Sequence, residues 1–316
     1  MRRFTAILST ALLMLTTFTA CSSDTPTNPT SVTTTDTSIT VTDQMGRSVT
    51  LSEPADSIVG LTASDIEIIY ALGSGSAVVG RGEYCNYPEE VSSVPVVQSG
   101  NETNIEQIIA LKPDIVFVDT MAQTPEQTTK LEAAGIAVFV TDADTIAETY
   151  DSITLIGKVL GKDTEATTIV SQMKAQFATL EVNAQAAVRE NGGVRKSVYF
   201  EVSPLEYGLW AAGSETFMDE VAKLLALDNI FSDVQGWAAV SAEQVLERKP
   251  DVILTVGMYF GEGPTPIESI LQRAGWESVP AVANQAIINL TADELSRPGP
   301  RLALGAQELF NFVYGS

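Results

Sequence analysis

The chain contains no histidine. That absence removes Ser-His-Asp and Cys-His nucleophile systems and every metal site built on imidazole, and it disfavours haem ligation by histidine. Cysteine is almost as scarce. Two in 316 residues, Cys21 and Cys85, cannot form a disulfide framework or supply the thiolates of a metal cluster. Basic residues are short as well: 18 Lys and Arg stand against 40 Asp and Glu, a formal charge of −22. Phosphate backbones are held through lysine and arginine, so nucleic-acid binding is not expected. No Gly-x-Gly-x-x-Gly follows the first predicted strand, and no Gly-x-x-x-x-Gly-Lys-Ser/Thr occurs, so no nucleotide cradle is expected. Carboxylates abound, but no pair stands out as an acid and a nucleophile, and on so acidic a chain they read as solvated surface. These absences point away from an enzyme.

What is present begins with room for two domains, at about 100–200 residues each. A hydrophobic content of 45% is enough for sizeable cores. Residues 1–20 read as an export signal: Arg2 and Arg3, an apolar stretch from Phe4 to Phe18, then Thr19 and Ala20. The stretch is thinned by threonines and falls short of the roughly 20 apolar residues of a membrane-spanning helix. Small residues ahead of Cys21 resemble the lipobox of bacterial lipoproteins, with Phe18 where leucine is usual. That likeness implies a lipid on Cys21 and an extracytoplasmic, membrane-anchored protein. Losing residues 1–20 removes two positive charges and no acid, taking the net charge from −22 to −24. Residues 21–38 follow as a tether of Thr, Ser, Pro and Asp in which Val32 is the one aliphatic residue, a composition that cannot bury enough surface to fold. With Cys21 lipidated, Cys85 has no partner in the chain and reads as a small buried residue.

From residue 39 to 144 strands and helices alternate. A hairpin turns at Met45-Gly46, "SIVGL" and "AVVG" read as strands, and a helix capped by Ser64 and stopped by Gly73 lies between them. Asn104 caps a short helix before the strand "DIVFVD", and "TPEQTTKLEAAG" is a helix before the strand "IAVFV". The strands are too continuously apolar for a one-faced sheet, which predicts a mostly parallel α/β layer. Residues 145–190 carry apolar residues at helical spacing, broken near Gly161, and predict a long helical connector. A second α/β series fills residues 191–316. One phrase occurs in both halves: "IEQIIALKPDIVF" from Ile105 and "AEQVLERKPDVIL" from Ala242. Each is followed by a strand, a helix opening near Thr-Pro and an Ala-Gly helix end. Two lobes of one design joined by a helix account for this.

Over residues 39–316 the chain resembles the class III substrate-binding proteins of ABC importers, which carry cobalamin, ferric siderophores or haem. The matching stretches are "VTDQMGRSVTLSEPADSIVGL", "EYCNYPEEV", "NIEQIIALKPDIVF", "GWAAVSAEQVLERKPDVIL" and "SRPGPRLALGAQEL". The resemblance implies two α/β lobes bridged by one long helix, a ligand in the cleft between them, and a monomer with no intrinsic cofactor. It implies partnership with a permease and its ATPase, one glutamate of each lobe, Glu106 and Glu243, meeting permease arginines. It places Tyr84, Tyr87, Trp210, Trp237 and Arg297 at the ligand. An aromatic cleft suits a flat corrin ring, so a corrinoid is the expected ligand and a ferric siderophore or haem the alternative. Gly100 stands where cobalamin binders can carry a tryptophan.

Overall fold

The computed structural model describes residues 38–120, 124–203, 205–257, 259, 261–290 and 293–315. The expected export signal, the expected lipidation site at Cys21 and the expected tether up to Thr37 lie outside the described residues. In the N-lobe, β1 (Ile39–Thr42) and β2 (Ser48–Leu51) form the antiparallel hairpin around Gly46. They are followed by β3 (Ile58–Gly60), α1 (Ala63–Ala71), β4 (Val78–Arg81), α2 (Ile105–Leu111), β5 (Ile115–Asp119), α3 (Pro125–Ala133) and β6 (Ala137–Thr141). The four later strands pair in parallel in the order β4-β3-β5-β6. β3 is buried throughout and β5 in all but its last residue, as strands covered on both faces require. One expectation is corrected: α1 is not capped by Ser64. Its N-cap is Thr62, without a side-chain capping bond, and Ser64 is already buried inside the first turn.

The connector divides in two. α4 (Ile146–Val159) packs on α1 and β1 and so belongs to the N-lobe. The chain reverses at Gly161, and α5 (Asp163–Glu190) folds back along α4 and continues to the C-lobe, where it packs on later helices. Close approach of the pair depends on Gly157, because a Cβ there would meet the Ala166 methyl at 2.6 Å. At 28 residues, α5 is about 42 Å long at 1.5 Å per residue. Its buried residues, Ala166, Met173, Phe177, Leu180, Ala184 and Val188, recur every three, four or seven positions and so form one stripe. α5 alone is the interlobe bridge.

The C-lobe comprises β7 (Ser197–Glu201), β8 (Trp210–Ala212), α6 (Phe217–Leu224), β9 (Asp228–Asn229), β10 (Trp237–Ala239), α7 (Ala242–Arg248) and β11 (Val252–Thr255). α8 (Pro266–Leu271), α9 (Pro280–Ala283), β12 (Ile287–Asn289) and α10 (Leu302–Tyr314) complete it. Its sheet runs β10-β8-β7-β11-β12, with β9 also paired to β7. β7, β9, β11 and β12 are parallel, whereas β8 and β10 are antiparallel to their neighbours. The antiparallel edge uses one tripeptide twice: Trp-Ala-Ala at 210–212 pairs with Trp-Ala-Ala at 237–239, each tryptophan opposite the other's last alanine. The mostly parallel, two-lobed α/β architecture is therefore present, with a mixed edge that periodicity did not reveal. α10 returns to pack on α5, and the lobes and bridge form one compact body.

Candidate functional site

A cavity of about 640 Å³ opens between the lobes, within the usual range of small-molecule sites, roughly 300–1,000 Å³. Its walls are the segments that leave the strands' carboxyl ends. Leu61 to Asp65 follow β3, Asp119 and Thr120 end β5, and Thr141 to Asp144 end β6. Val202 and Ser203 follow β7, and Val256 follows β11. Ligand crevices of α/β folds lie outside this edge of the sheet. The C-lobe adds Trp210, Phe217, Met218 and Trp237, and most of the lining surface is apolar.

Tyr84, Trp210, Trp237 and Arg297 all line this cavity. Tyr84 is well exposed, and Trp210, opening β8, is 39% exposed. Trp237 opens β10, meets the Phe217 ring edge-on at 5.2 Å and donates from Nε1 to Asp144 Oδ1 at 2.8 Å. Tyr87 is not among the lining residues. Its ring lies 3.8 Å beneath the Arg301 guanidinium, a cation–π contact. Arg297 lines the cavity but is already engaged. It donates to Glu67 Oε1 at 2.9 Å, Asn86 Oδ1 at 2.8 Å and the Tyr84 carbonyl at 3.2 Å, and pairs with Asp293 at 2.5 Å. Arg301 grips the same Glu67 through Nε and Nη2 at 2.9 and 2.8 Å. Glu67 lies on α1 of the N-lobe and both arginines on the C-lobe segment entering α10, so this cluster ties lobe to lobe. The resemblance placed Arg297 at the ligand; the geometry gives it an interlobe pairing as well.

A second tie lies at the opposite wall. The Phe217 amide donates to the Asp144 carbonyl at 2.5 Å, and the Ile146 amide to Glu220 Oε2 at 2.7 Å. Glu220, on α6, thereby places a carboxylate on the first turn of α4 in the other lobe, where the helix dipole favours it.

Sequence reasoning missed Asp65. It is 1% exposed and lines the cavity. Thr141 Oγ1 donates to its Oδ2 at 3.1 Å, while Oδ1 has no hydrogen-bond partner. Burial first, and the Asp119 charge second, raise its pKa well above the carboxylate range. The Thr141 hydrogen bond and the nearby Thr62 hydroxyl, itself short of a full hydrogen bond, offset this in part. The usable signal was position: a carboxylate in the first helical turn after a strand's carboxyl end. Cys85 is 1% exposed, and burial pushes its thiol up to about 12, so it is an inert core residue. Among the described residues, no cluster of acidic and cysteine side chains is placed to hold a metal ion.

Glu106 and Glu243 occupy the same position in the two copies of the repeated phrase, the first turn of α2 and of α7, and both are exposed. Asn104 accepts from the Gln107 amide at 3.0 Å and Ser241 from the Gln244 amide at 3.3 Å, the side-chain caps expected at helix starts. Hydrogen bonds from its own amide and from Ser241 hold the Glu243 carboxyl below its usual range. α2 leads into β5 and α7 into β11, so each helix runs back from the carboxyl edge of its sheet. Both glutamates therefore stand at the cleft end of their lobes, one on each.

Two lobes, one bridging helix and a ligand-sized cavity at the strand carboxyl ends define a solute-binding protein of class III architecture. Residues 58–294 match the family model described as periplasmic binding protein, and the chain belongs to that family. It is 33% identical over 279 residues to the uncharacterized ABC transporter substrate-binding lipoprotein YvrC of Bacillus subtilis, covering 87% of this chain and 85% of the relative. It is 27% identical over 259 residues to a vitamin B12-binding protein of Yersinia pestis, covering 82% and 86%. Among solved structures, the periplasmic heme-binding protein RhuT of Roseiflexus superposes with a TM-score of 0.73 at 25% identity, covering 82% of this chain and 98% of that one.

Proposed function

We propose that this protein is the substrate-binding component of an ABC importer, anchored outside the cytoplasm by a lipid on Cys21, and that it presents a corrinoid to its permease. The observation that carries the ligand assignment is the cavity itself: Trp210 and Trp237 stand on one wall and Tyr84 on the other, around mostly apolar surface. Flat conjugated rings bind such walls by stacking and apolar burial, with few polar contacts needed to orient them. The likeness to a vitamin B12-binding protein supports the same assignment, and the lipoprotein description of the Bacillus relative supports the anchor.

Glu106 and Glu243 are the proposed docking points for the permease. One exposed carboxylate on the cleft end of each lobe can pair with cations of a partner spanning both lobes, and the chain's acidity would steer a basic surface toward it. The deciding experiment is a titration of the soluble protein, read by tryptophan fluorescence and visible absorbance, with cyanocobalamin, cobinamide, a ferric hydroxamate and haemin. Trp276, the third tryptophan, is buried at 1% exposure in the C-lobe core and does not line the cavity. Corrinoids should quench Trp210 and Trp237 in a saturable way. Saturable binding of the hydroxamate or haemin with none of either corrinoid would refute the corrinoid assignment.

A further inference from the structure

We propose that the N-lobe wall of the cleft, with Asp65 at its base, reads an uncharged, amide-bearing edge of the ligand and rejects ligands whose edge is anionic. This deepens the solute-binding assignment and rests on it.

The charges lining the cavity are one-sided. Asp65, Asp119, Asp142 and Asp144 contribute carboxyl groups, while Arg297 is the one cation among the described lining residues. Arg297 is not available to a carboxylate ligand, because Glu67 and Asp293 already pair with it and its side chain is 11% exposed. A ligand entering with carboxylates or phenolates at its rim would meet like charge, with no free cation to offset its desolvation. The rest of the molecule adds to the repulsion, at −22 overall.

Asp65 supplies the independent sign of a ligand contact. A buried polar atom is almost always hydrogen-bonded, and one left without a partner loses its hydration for nothing. Asp65 Oδ1 is such an atom, on a residue that lines the cavity. Rotation about the terminal carboxyl bond is soft, so Oδ1 can turn toward a bound molecule, at the expense of loosening the Oδ2 bond to Thr141. The neutral carboxylic acid donates one hydrogen bond and accepts others, and burial beside Asp119 favours that form. An amide offers both complements, a carbonyl for the acid to donate to and an N–H for Asp142 or Asp144 to accept from. Corrin rings are fringed with amides and ferric trihydroxamates carry them uncharged, whereas haem ends in two carboxylates and ferric tricatecholates are polyanions. The wall therefore sorts ligands by rim charge before it sorts them by ring.

The test compares cyanocobalamin, cobinamide, a neutral ferric trihydroxamate, haemin and a ferric tricatecholate on wild-type protein and on Asp65→Ala and Asp65→Asn. Wild type should bind at least one of the first three, with both anionic ligands about tenfold weaker or worse. Asp65→Ala should weaken the best ligand by about fivefold to tenfold, the usual worth of a buried hydrogen bond. Asp65→Asn, which keeps a donor and an acceptor, should stay within about threefold. Equal affinity for an anionic ligand overturns the inference, as does unchanged affinity in Asp65→Ala. The wild-type panel decides even if Asp65→Ala does not fold. Binding of the trihydroxamate and of neither corrinoid, weakened by Asp65→Ala, supports this inference while removing the corrinoid assignment. Failure of all three uncharged ligands overturns both.

Discussion

At the scale of a residue, Asp65 carries a cost in stability that its proposed ligand contact would account for. In the folded protein its carboxyl holds a proton well above the ordinary range, whereas in the unfolded chain it returns to about 3.8. As pH rises above that unfolded value, the unfolded chain has lost the proton that the folded chain keeps, so stability falls across the window up to the folded pKa. Asp65→Asn abolishes this linkage. Its melting temperature should exceed that of wild type at pH 7, and the gap should shrink as pH drops toward 3.5. A gap independent of pH would mean that the Asp65 carboxyl is not proton-linked to folding. Around this residue, Tyr84, Trp210 and Trp237 were accessible in the sequence through their flanking motifs. Asp65 was not singled out, because its one signal, a place in the first helical turn after a strand, does not by itself separate a buried acid from the many solvated ones on a chain this acidic.

At the scale of elements, the repeated phrase proves to be a structural joint. α2 and α7 each end on a lysine in the left-handed conformation, Lys112 at φ 53 and Lys249 at φ 49, before Pro113 and Pro250. The next residue then pins the neighbouring parallel strand. Asp114 Oδ2 accepts from the amides of Asp56 and Ser57, ahead of β3, at 3.1 and 3.0 Å. Asp251 Oδ2 accepts from the Ser197 amide and hydroxyl, at the start of β7, at 2.8 and 2.9 Å. Helix stop, reversal and strand clamp thus fit into three residues, Lys-Pro-Asp, which explains why both lobes use them. Asp251→Ala should destabilise the protein by about 1–3 kcal/mol by leaving those donors unmatched. Lys249→Gly should stabilise it by roughly 0.5–1 kcal/mol, since glycine adopts positive φ without Cβ strain. Denaturant unfolding of both variants checks the pair, and a stabilised Asp251→Ala or a destabilised Lys249→Gly would contradict the joint. This unit was legible because its signals are local. The Trp-Ala-Ala pair was not, because a three-residue strand carries no period and its partner lies across an intervening helix.

At the scale of the molecule, α5 and the two interlobe ties hold the lobes in one arrangement. A buried ion cluster such as Glu67 with Arg297 and Arg301 adds little net stability over apolar packing, but it is costly to break; its effect here is to set lobe orientation. A fixed spacing between Glu106 and Glu243 is what a permease contacting both lobes would require. Glu106→Ala combined with Glu243→Ala should leave ligand affinity unchanged in the soluble titration and abolish uptake in cells. Loss of ligand binding in the double variant would contradict the docking role. The substitutions themselves should be close to neutral for folding, because both side chains are exposed on first helical turns.

By itself the sequence determined the alternation of strand and helix, the duplication of the lobes, the helical link between them and the likeness to a binding-protein family. Those are properties of period, turn chemistry and local caps, which neighbouring residues specify. Tertiary structure alone decided that the connector breaks into a lobe helix and a bridge, that the two Trp-Ala-Ala segments pair, that Tyr87 lies under Arg301, and that Arg297 is held by an acid 230 residues away. Each of those depends on contacts between segments far apart in the chain, within a lobe or between lobes, and no local pattern encodes them.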